Sequence, residues 1–229
     1  MTDSRRTTSM DKGAKAKKVF IVDDHPIVRQ GLTQLINHES DLTVCGEAAG
    51  VREARAALGQ AAPDIVVVDL SLKDSDGLEL IKDIRSKYKA LPVLVLSMHD
   101  ESIYAERILS TGANGYIMKQ AAAEQLLAAL RRVLSGGIYV SESVGAAMIE
   151  RMAKRGTRMS ADPIDRLSNR EIQVLNLIGR GKSTREIASD LNLSVKTVES
   201  HRQRIKKKLN LESSPQLVQY AVNWNLTRH

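Results

Sequence analysis

Four short apolar runs mark the first half of the chain: VFIVDD (residues 19–24), IVVVDL (65–70), PVLVLS (92–97) and GYIMK (115–119). Each holds apolar, often β-branched residues in unbroken succession between turn or charged residues, the pattern of a strand buried on both faces of a parallel sheet. TVCGEA (43–48) reads as a further strand. In the apolar runs the polar residues fall at the carboxyl end: Asp23 and Asp24, Asp69, Ser97, and Lys119. In an open parallel α/β sheet that edge is where ligands bind, because strand ends and the loops after them converge there. The pattern therefore predicts three carboxylates, a hydroxyl and an ammonium in one crevice.

The second half has helical periodicity. Residues 141–154 read as one helix, with Ser141 as its cap and Val144, Met148, Ile149 and Met152 near one face. From Lys154 to Asp165, Gly156, Pro163 and scattered charges without an apolar period read as a linker. Four helices follow, at 168–179, 183–191, 194–209 and 213–224. Ser168 with Glu171 and Ser183 with Glu186 have capping-box spacing, and Ser194 caps the third helix. The second and third, separated by Asn192 and Leu193, form a helix-turn-helix candidate. Successive residues turn by about 100°, which gathers Val198, Ile205 and Leu209 on one arc of the third helix. Lys196, Ser200, Gln203 and Lys207 take the opposite arc, flanked by Glu199 and Arg204. One face packs, and the other offers hydrogen-bonding groups and cations, as a helix in the major groove requires. Tyr220 and Trp224 on the last helix are expected in the core, and His201 lies at the edge of the packed arc.

At 229 residues the chain exceeds the usual size of one domain, and its 42% hydrophobic content suffices for packed cores. Charge divides it. Residues 19–135 carry 12 basic and 16 acidic side chains, net −4, and residues 166–229 carry 12 and 5, net +7. An acidic first domain suits a cation site and a basic last domain suits a polyanion. Helix-turn-helix geometry also occurs in protein-interaction bundles, but the concentration of cations on one face favours DNA. The single cysteine, Cys45, cannot form an intrachain disulfide and is expected as a core residue in a reducing compartment. No stretch reaches the roughly 18 apolar residues of a membrane span. The basic tail over 1–17 lacks an apolar signal-peptide region and reads as disordered, and Met10 offers an alternative start.

Clustered carboxylates repel one another unless a cation joins them, and hard oxygen ligands suit Mg²⁺. Asp69 is then the candidate nucleophile, since carboxylates form aspartyl phosphates and phosphoryl transfer depends chiefly on positioning and charge neutralisation. Singly, each residue has an ordinary explanation as a turn aspartate, a surface lysine or a loop hydroxyl. Their joint order on four strands carries the signal. Asp23/Asp24, Asp69, Ser97, Tyr116 and Lys119 resemble the receiver domain of two-component response regulators, and DHPIVRQGL (24–32) and LSMHD (96–100) resemble its NarL/FixJ subfamily.

The resemblance implies a flavodoxin-like, doubly wound, five-stranded parallel sheet over 18–135, with 136–165 as helix and linker. It implies Asp69 as phosphoacceptor, with Ser97, Tyr116 and Lys119 completing the site. Mg²⁺ would be held by Asp23, Asp24, Asp69 and the backbone carbonyl of Ser71. Two positions depart from the pattern: Lys73 stands where the subfamily usually has Pro, adding an ammonium near the acidic cluster, and Gln120 follows Lys119. A haloacid dehalogenase-like phosphatase needs an acid two residues after its nucleophile, where this chain has Ser71. That counts against an enzyme.

In the last segment, LSNRE (167–171), GKS (181–183), EIA (186–188), LSVKTVESH (193–201) and KKL (207–209) resemble the LuxR-type helix-turn-helix over 166–229. Thr184 departs from its common Asn. The resemblance implies base reading by Glu199, Ser200 and Gln203, and phosphate contacts from Lys196, Thr197, Arg204 and Lys207. Together the two halves imply a cytoplasmic response regulator, phosphorylated by a sensor histidine kinase, that binds double-stranded DNA as a homodimer without a membrane partner. In the family, phosphorylation releases the DNA-binding helix and promotes dimerisation. The alternative is a DNA-binding regulator independent of phosphorylation, for which Lys73 is the only hint.

Overall fold

The structure, a computed structural model, describes residues 15–72, 77–154 and 163–226. The tail up to residue 14, Lys73 and the linker over 155–162 lie outside the described residues. The chain divides into two compact units at Gly145/Ala146.

In the first unit, strands β1 (Lys17–Val22), β2 (Leu42–Ala48), β3 (Ile65–Asp69), β4 (Val93–Ser97) and β5 (Gly115–Met118) form one parallel sheet in the order β2-β1-β3-β4-β5. Helices α1 (Pro26–Asn37), α2 (Val51–Ala61), α3 (Gly77–Lys87), α4 (Glu101–Ser110) and α5 (Ala123–Leu134) connect and follow the strands. This is the flavodoxin-like doubly wound fold. β3 and β4 are buried at every position, which is why their sequences do not alternate. Val19, Ile21, Val67, Leu94 and Leu96 join Ile36 of α1 and Leu130 of α5 in one apolar cluster.

Strand order reverses direction between β1 and β3, and the crevice beyond their carboxyl ends is the topological switch point. Register then places the site. Val22 pairs with Val68, so Asp23 and Asp69 are the next residues on adjacent strands. Asp69 pairs with Leu96, one residue before Ser97, and Ser97 pairs with Met118, one residue before Lys119.

The β1/β2 pairing slips between Val19 and Phe20, so that Cys45 is the residue left over at a bulge. Cys45 is therefore half-buried on an edge strand rather than in the core, because the bulge turns it out of the pleat. Burial pushes its thiol pKa up.

The sequence pattern did not show the segment after α5 returning to the sheet. The Tyr139 N–H donates to the Asn114 carbonyl, and the Tyr116 N–H donates to the Tyr139 carbonyl at 2.8 Å, so Tyr139 covers the free edge of β5. Helix α6 (Glu142–Lys154) follows. Of the residues expected near one face, Val144 is buried and Met148 half-buried, whereas Ile149 is 70% exposed. The side chain of Met152 lies outside the described residues.

The second unit continues through a short 3-10 turn (Pro163–Arg166) into α7 (Asn169–Gly179), α8 (Thr184–Asp190), α9 (Val195–Leu209) and α10 (Ser214–Leu226). Both predicted capping boxes form: the Ser168 and Ser183 hydroxyls accept from the N–H of Glu171 and Glu186, whose carboxylates accept in return. Ser194 caps α9 through the Thr197 N–H. The turn between α8 and α9 bends at Asn192, whose φ of 51° lies in the left-handed region that Asn tolerates. Trp224 is buried, but Tyr220 is only half-buried. Among the described residues no helix is long and apolar enough to cross a membrane.

Candidate functional site

At the switch point, Asp23 and Asp69 are each 1% exposed. Lys119, the first residue after β5, reaches back across the strand ends and places its Nζ 2.5 Å from Asp23 Oδ2 and 2.8 Å from Asp69 Oδ2. The other Asp69 oxygen accepts from the Ser71 N–H at 3.0 Å. Burial pushes the Asp69 carboxyl above its ordinary value, opposed by the Lys119 and Ser71 hydrogen bonds. Burial also pulls on the Lys119 ammonium, but its bonds to Asp23 and Asp69 prevail and hold it protonated above its usual value. Gly77 is required here for a close approach: a Cβ at that position would lie 2.3 Å from the Asp69 carbonyl oxygen.

Asp23, Asp24, His25 and Asp69 each offer a ligand atom within 4.8 Å of the others. Three carboxylates face one ammonium in a poorly solvated pocket, more acidic groups than the cation present can offset. That imbalance and the all-oxygen donors of the aspartates fit a hard divalent cation. His25 Nδ1 lies 2.8 Å from Asp24 Oδ1 and 3.1 Å from Asp23 Oδ1. Arg29 donates to the Asp23 carbonyl, which fixes the backbone that carries the acidic pair.

Ser97 is fully buried, and its Oγ accepts from the His99 N–H at 3.1 Å. The Tyr116 ring is fully buried, and its hydroxyl donates to the His99 carbonyl at 2.9 Å. Burial pushes that phenol well above its ordinary pKa, so it acts as a neutral donor. Across the site, Ser71 Oγ and His99 Nε2 lie 2.8 Å apart, joining the loop after β3 to the loop after β4. Sequence reasoning did not single out His25, Arg29 or His99. Their nearness to Asp23 and Ser97 in sequence was the only signal, and a lone histidine or arginine in a loop has no distinguishing spacing.

In the second unit, α9 exposes Lys196, Glu199, Ser200, Gln203, Arg204 and Lys207, with Thr197 half-buried and its hydroxyl 2.8 Å from Ser194 Oγ. Val198, Ile205 and Leu209 are buried. The scaffold behind the exposed arc is held by polar ties as well as by packing. Lys208 Nζ lies 2.6 Å from Glu171 Oε2, and Arg170 donates to the Leu191 carbonyl at 2.5 Å. Burial raises the Glu171 pKa, but the bonds from Lys208 and Ser168 prevail and leave it below the usual carboxylate range. His201 is half-buried, and its Nδ1 has no hydrogen-bond partner among the described residues. Burial, with Arg204 beside it, holds its pKa below the ordinary value.

Residues 19–131 match the family model described as "Response regulator receiver domain", and residues 165–221 match "Bacterial regulatory proteins, luxR family". The oxygen regulatory protein NreC of Staphylococcus aureus (strain MRSA252) is 37% identical over 213 residues, which cover 91% of this chain and 98% of the relative. A solved structure of RcsB from Salmonella enterica serovar Typhimurium, bound to promoter rprA in the presence of the phosphomimetic BeF3-, is 30% identical with a TM-score of 0.56, covering 91% of this chain and 99% of that one. A LuxR-family two-component response regulator from Aurantimonas sp. SI85-9A1 is 33% identical with a TM-score of 0.56, covering 61% of this chain and 99% of that one. An acidic crevice at the switch point of a receiver sheet, a helix-turn-helix with one polar face, and relatives matched over nearly their whole length converge: the chain belongs to the two-component response regulators that join a receiver domain to a LuxR-type DNA-binding domain.

Proposed function

We propose that the chain is a cytoplasmic transcription factor switched by phosphorylation of Asp69. The observation that carries this reading is the Lys119 ammonium held between Asp23 and Asp69 at the carboxyl edge of the sheet. One Asp69 oxygen attacks the phosphorus of a phosphohistidine on a sensor kinase, or of a small acyl phosphate. The aspartyl P–O bond forms as the bond to the donor breaks, and the donor leaves with its electron pair. Lys119 neutralises charge on the phosphoryl oxygens, and the Ser97 hydroxyl donates to one of them. Asp23, Asp24, Asp69 and the Ser71 carbonyl are the residues that would hold Mg²⁺, which when bound adds further charge neutralisation.

The new charge biases the receiver between two states through Ser97, His99 and Tyr116, which are already joined by hydrogen bonds. The exposed arc of α9 then reads DNA, with Glu199, Ser200 and Gln203 on base edges and Lys196, Thr197, Arg204 and Lys207 on phosphates. A homodimer presents two such helices to a two-fold site.

Intact mass after incubation with acetyl phosphate, with and without Mg²⁺, tests the chemistry. A Mg²⁺-dependent phosphoryl adduct that is absent from Asp69→Asn is expected. An undiminished adduct in that variant places the modification elsewhere, and no adduct from either acetyl phosphate or a phosphorylated kinase favours a regulator independent of phosphorylation.

A further inference from the structure

Glu101 is the first residue of α4 and only 8% exposed. A first-turn carboxylate gains from the helix dipole while staying in water, so its burial needs another reason. Its Oε1 accepts from the Ser141 backbone N–H at 2.6 Å, across 40 positions of sequence. Ser141 is the residue before α6: its carbonyl accepts from the Gly145 N–H, and its hydroxyl lies 3.4 Å from the Val144 N–H. Glu101 therefore holds the first turn of the helix that leaves the receiver unit.

The same carboxylate is linked to the candidate phosphoacceptor site through hydrogen bonds joined by short stretches of backbone. Ser97 Oγ accepts from the His99 N–H, the His99 carbonyl accepts from Tyr116, and the Tyr116 N–H donates to the Tyr139 carbonyl, two residues before Ser141. Asp100, between His99 and Glu101, caps α4 through the Ser102 N–H, so a displacement of the His99 segment is transmitted to the first turn of α4. A cavity of about 410 Å³ beside this tie is lined by Glu101, Tyr116, Gln120, Gln125, Tyr139 and Ser141, giving the carboxylate room to leave its donor. Gln120 and Gln125 supply amide donors on that wall.

We propose that the Glu101–Ser141 hydrogen bond is a latch between the phosphoacceptor site and α6, closed in the unphosphorylated chain and opened when Ser97 is drawn to an aspartyl phosphate. It rests on the reading of Asp69 given above. Closed, the latch fixes where α6 begins; open, it frees the first turn of α6. Glu101 is a positioning residue that acts through backbone, and it touches no phosphoryl group.

Hydrogen exchange on the full chain reads the latch directly at the amides of residues 139–146, with adduct occupancy measured by intact mass in the same sample. A lost charge-assisted hydrogen bond is worth roughly ten- to hundredfold in exchange. Exchange of these amides should rise by about that factor when acetyl phosphate and Mg²⁺ phosphorylate the protein. Glu101→Ala should show the fast exchange without phosphate and gain little more from it, while Glu101→Gln, which keeps an acceptor oxygen, should lie between. Adduct formation by each variant certifies that its receiver is folded. An adduct on the natural chain without faster exchange overturns the latch alone. Slow exchange in a Glu101→Ala protein that still forms adduct overturns it as well. No adduct from any donor overturns the function proposed for Asp69, and the switching of the latch with it.

Discussion

Replacing Lys119 by Met tests the electrostatics of the receiver site without adding a polar group. Met is of comparable length, so packing around the stem is kept while the ammonium between Asp23 and Asp69 is lost. Both carboxylates are 1% exposed, so water cannot replace the missing cation. Removing one partner of a buried ion pair costs about 3–5 kcal/mol. The realised loss should fall near the lower figure, because Asp69 can take up a proton. Its pKa already lies above the ordinary value from burial, and loss of Lys119 raises it further. A carboxyl raised on folding contributes no penalty below its unfolded pKa of about 4, and the penalty grows as pH rises through the folded value. Urea unfolding in EDTA at neutral pH should therefore show Lys119→Met about 3 kcal/mol less stable than the natural chain, with the gap closing toward pH 4. Mg²⁺ at a hundred times its dissociation constant should return about 2.7 kcal/mol. Asp69→Asn combined with Lys119→Met should be more stable than Lys119→Met alone. Equal urea midpoints for natural chain and variant in EDTA, or a loss independent of pH and unrelieved by Asp69→Asn, would refute the reasoning.

The DNA-binding unit yields three further expectations. Gln203→Ala should flatten base preference at one position of a selected duplex, while Lys207→Ala should weaken all sequences alike and reduce the slope of log affinity against log salt by about one; equal losses for both across a sequence panel would contradict the division of roles. Glu171 has a depressed pKa, so its contribution is present above its unfolded value of about 4.3 and is lost as pH falls through the folded one. Glu171→Gln should therefore unfold earlier than the natural unit at pH 7, with the difference vanishing in acid; a difference that persists at pH 3 counts against the ion pair with Lys208. Gly179→Ala would place a Cβ 2.4 Å from the Ala221 carbonyl oxygen, where α7 meets α10. It should cost about 1–3 kcal/mol in a urea titration, and a neutral result would show that the two helices can part.

The strands were legible because a buried parallel strand has no solvent face, so β3 and β4 read as unbroken apolar runs ending on Asp69 and Ser97. The capping boxes at Ser168 and Ser183 were legible because their spacing is local. What escaped depends on contacts remote in sequence. Nothing about Tyr139 foretells that it covers the β5 edge, and nothing about Glu101 foretells a donor at Ser141. Cys45 was misplaced because an apolar run does not reveal a bulge. Ile149 shares a helical face with the buried Val144 and is nonetheless exposed, because periodicity gives the face of a helix and not what that face meets.

The central claim is that phosphate on Asp69 governs DNA binding by the second unit. The most direct measurement is the affinity of the full chain for a duplex enriched from a random pool, before and after acetyl phosphate treatment, with Asp69→Asn alongside. A rise in affinity that tracks adduct occupancy and is missing in Asp69→Asn is the predicted result. Equal affinity with and without a demonstrated adduct would contradict the account and leave the two halves of the chain uncoupled.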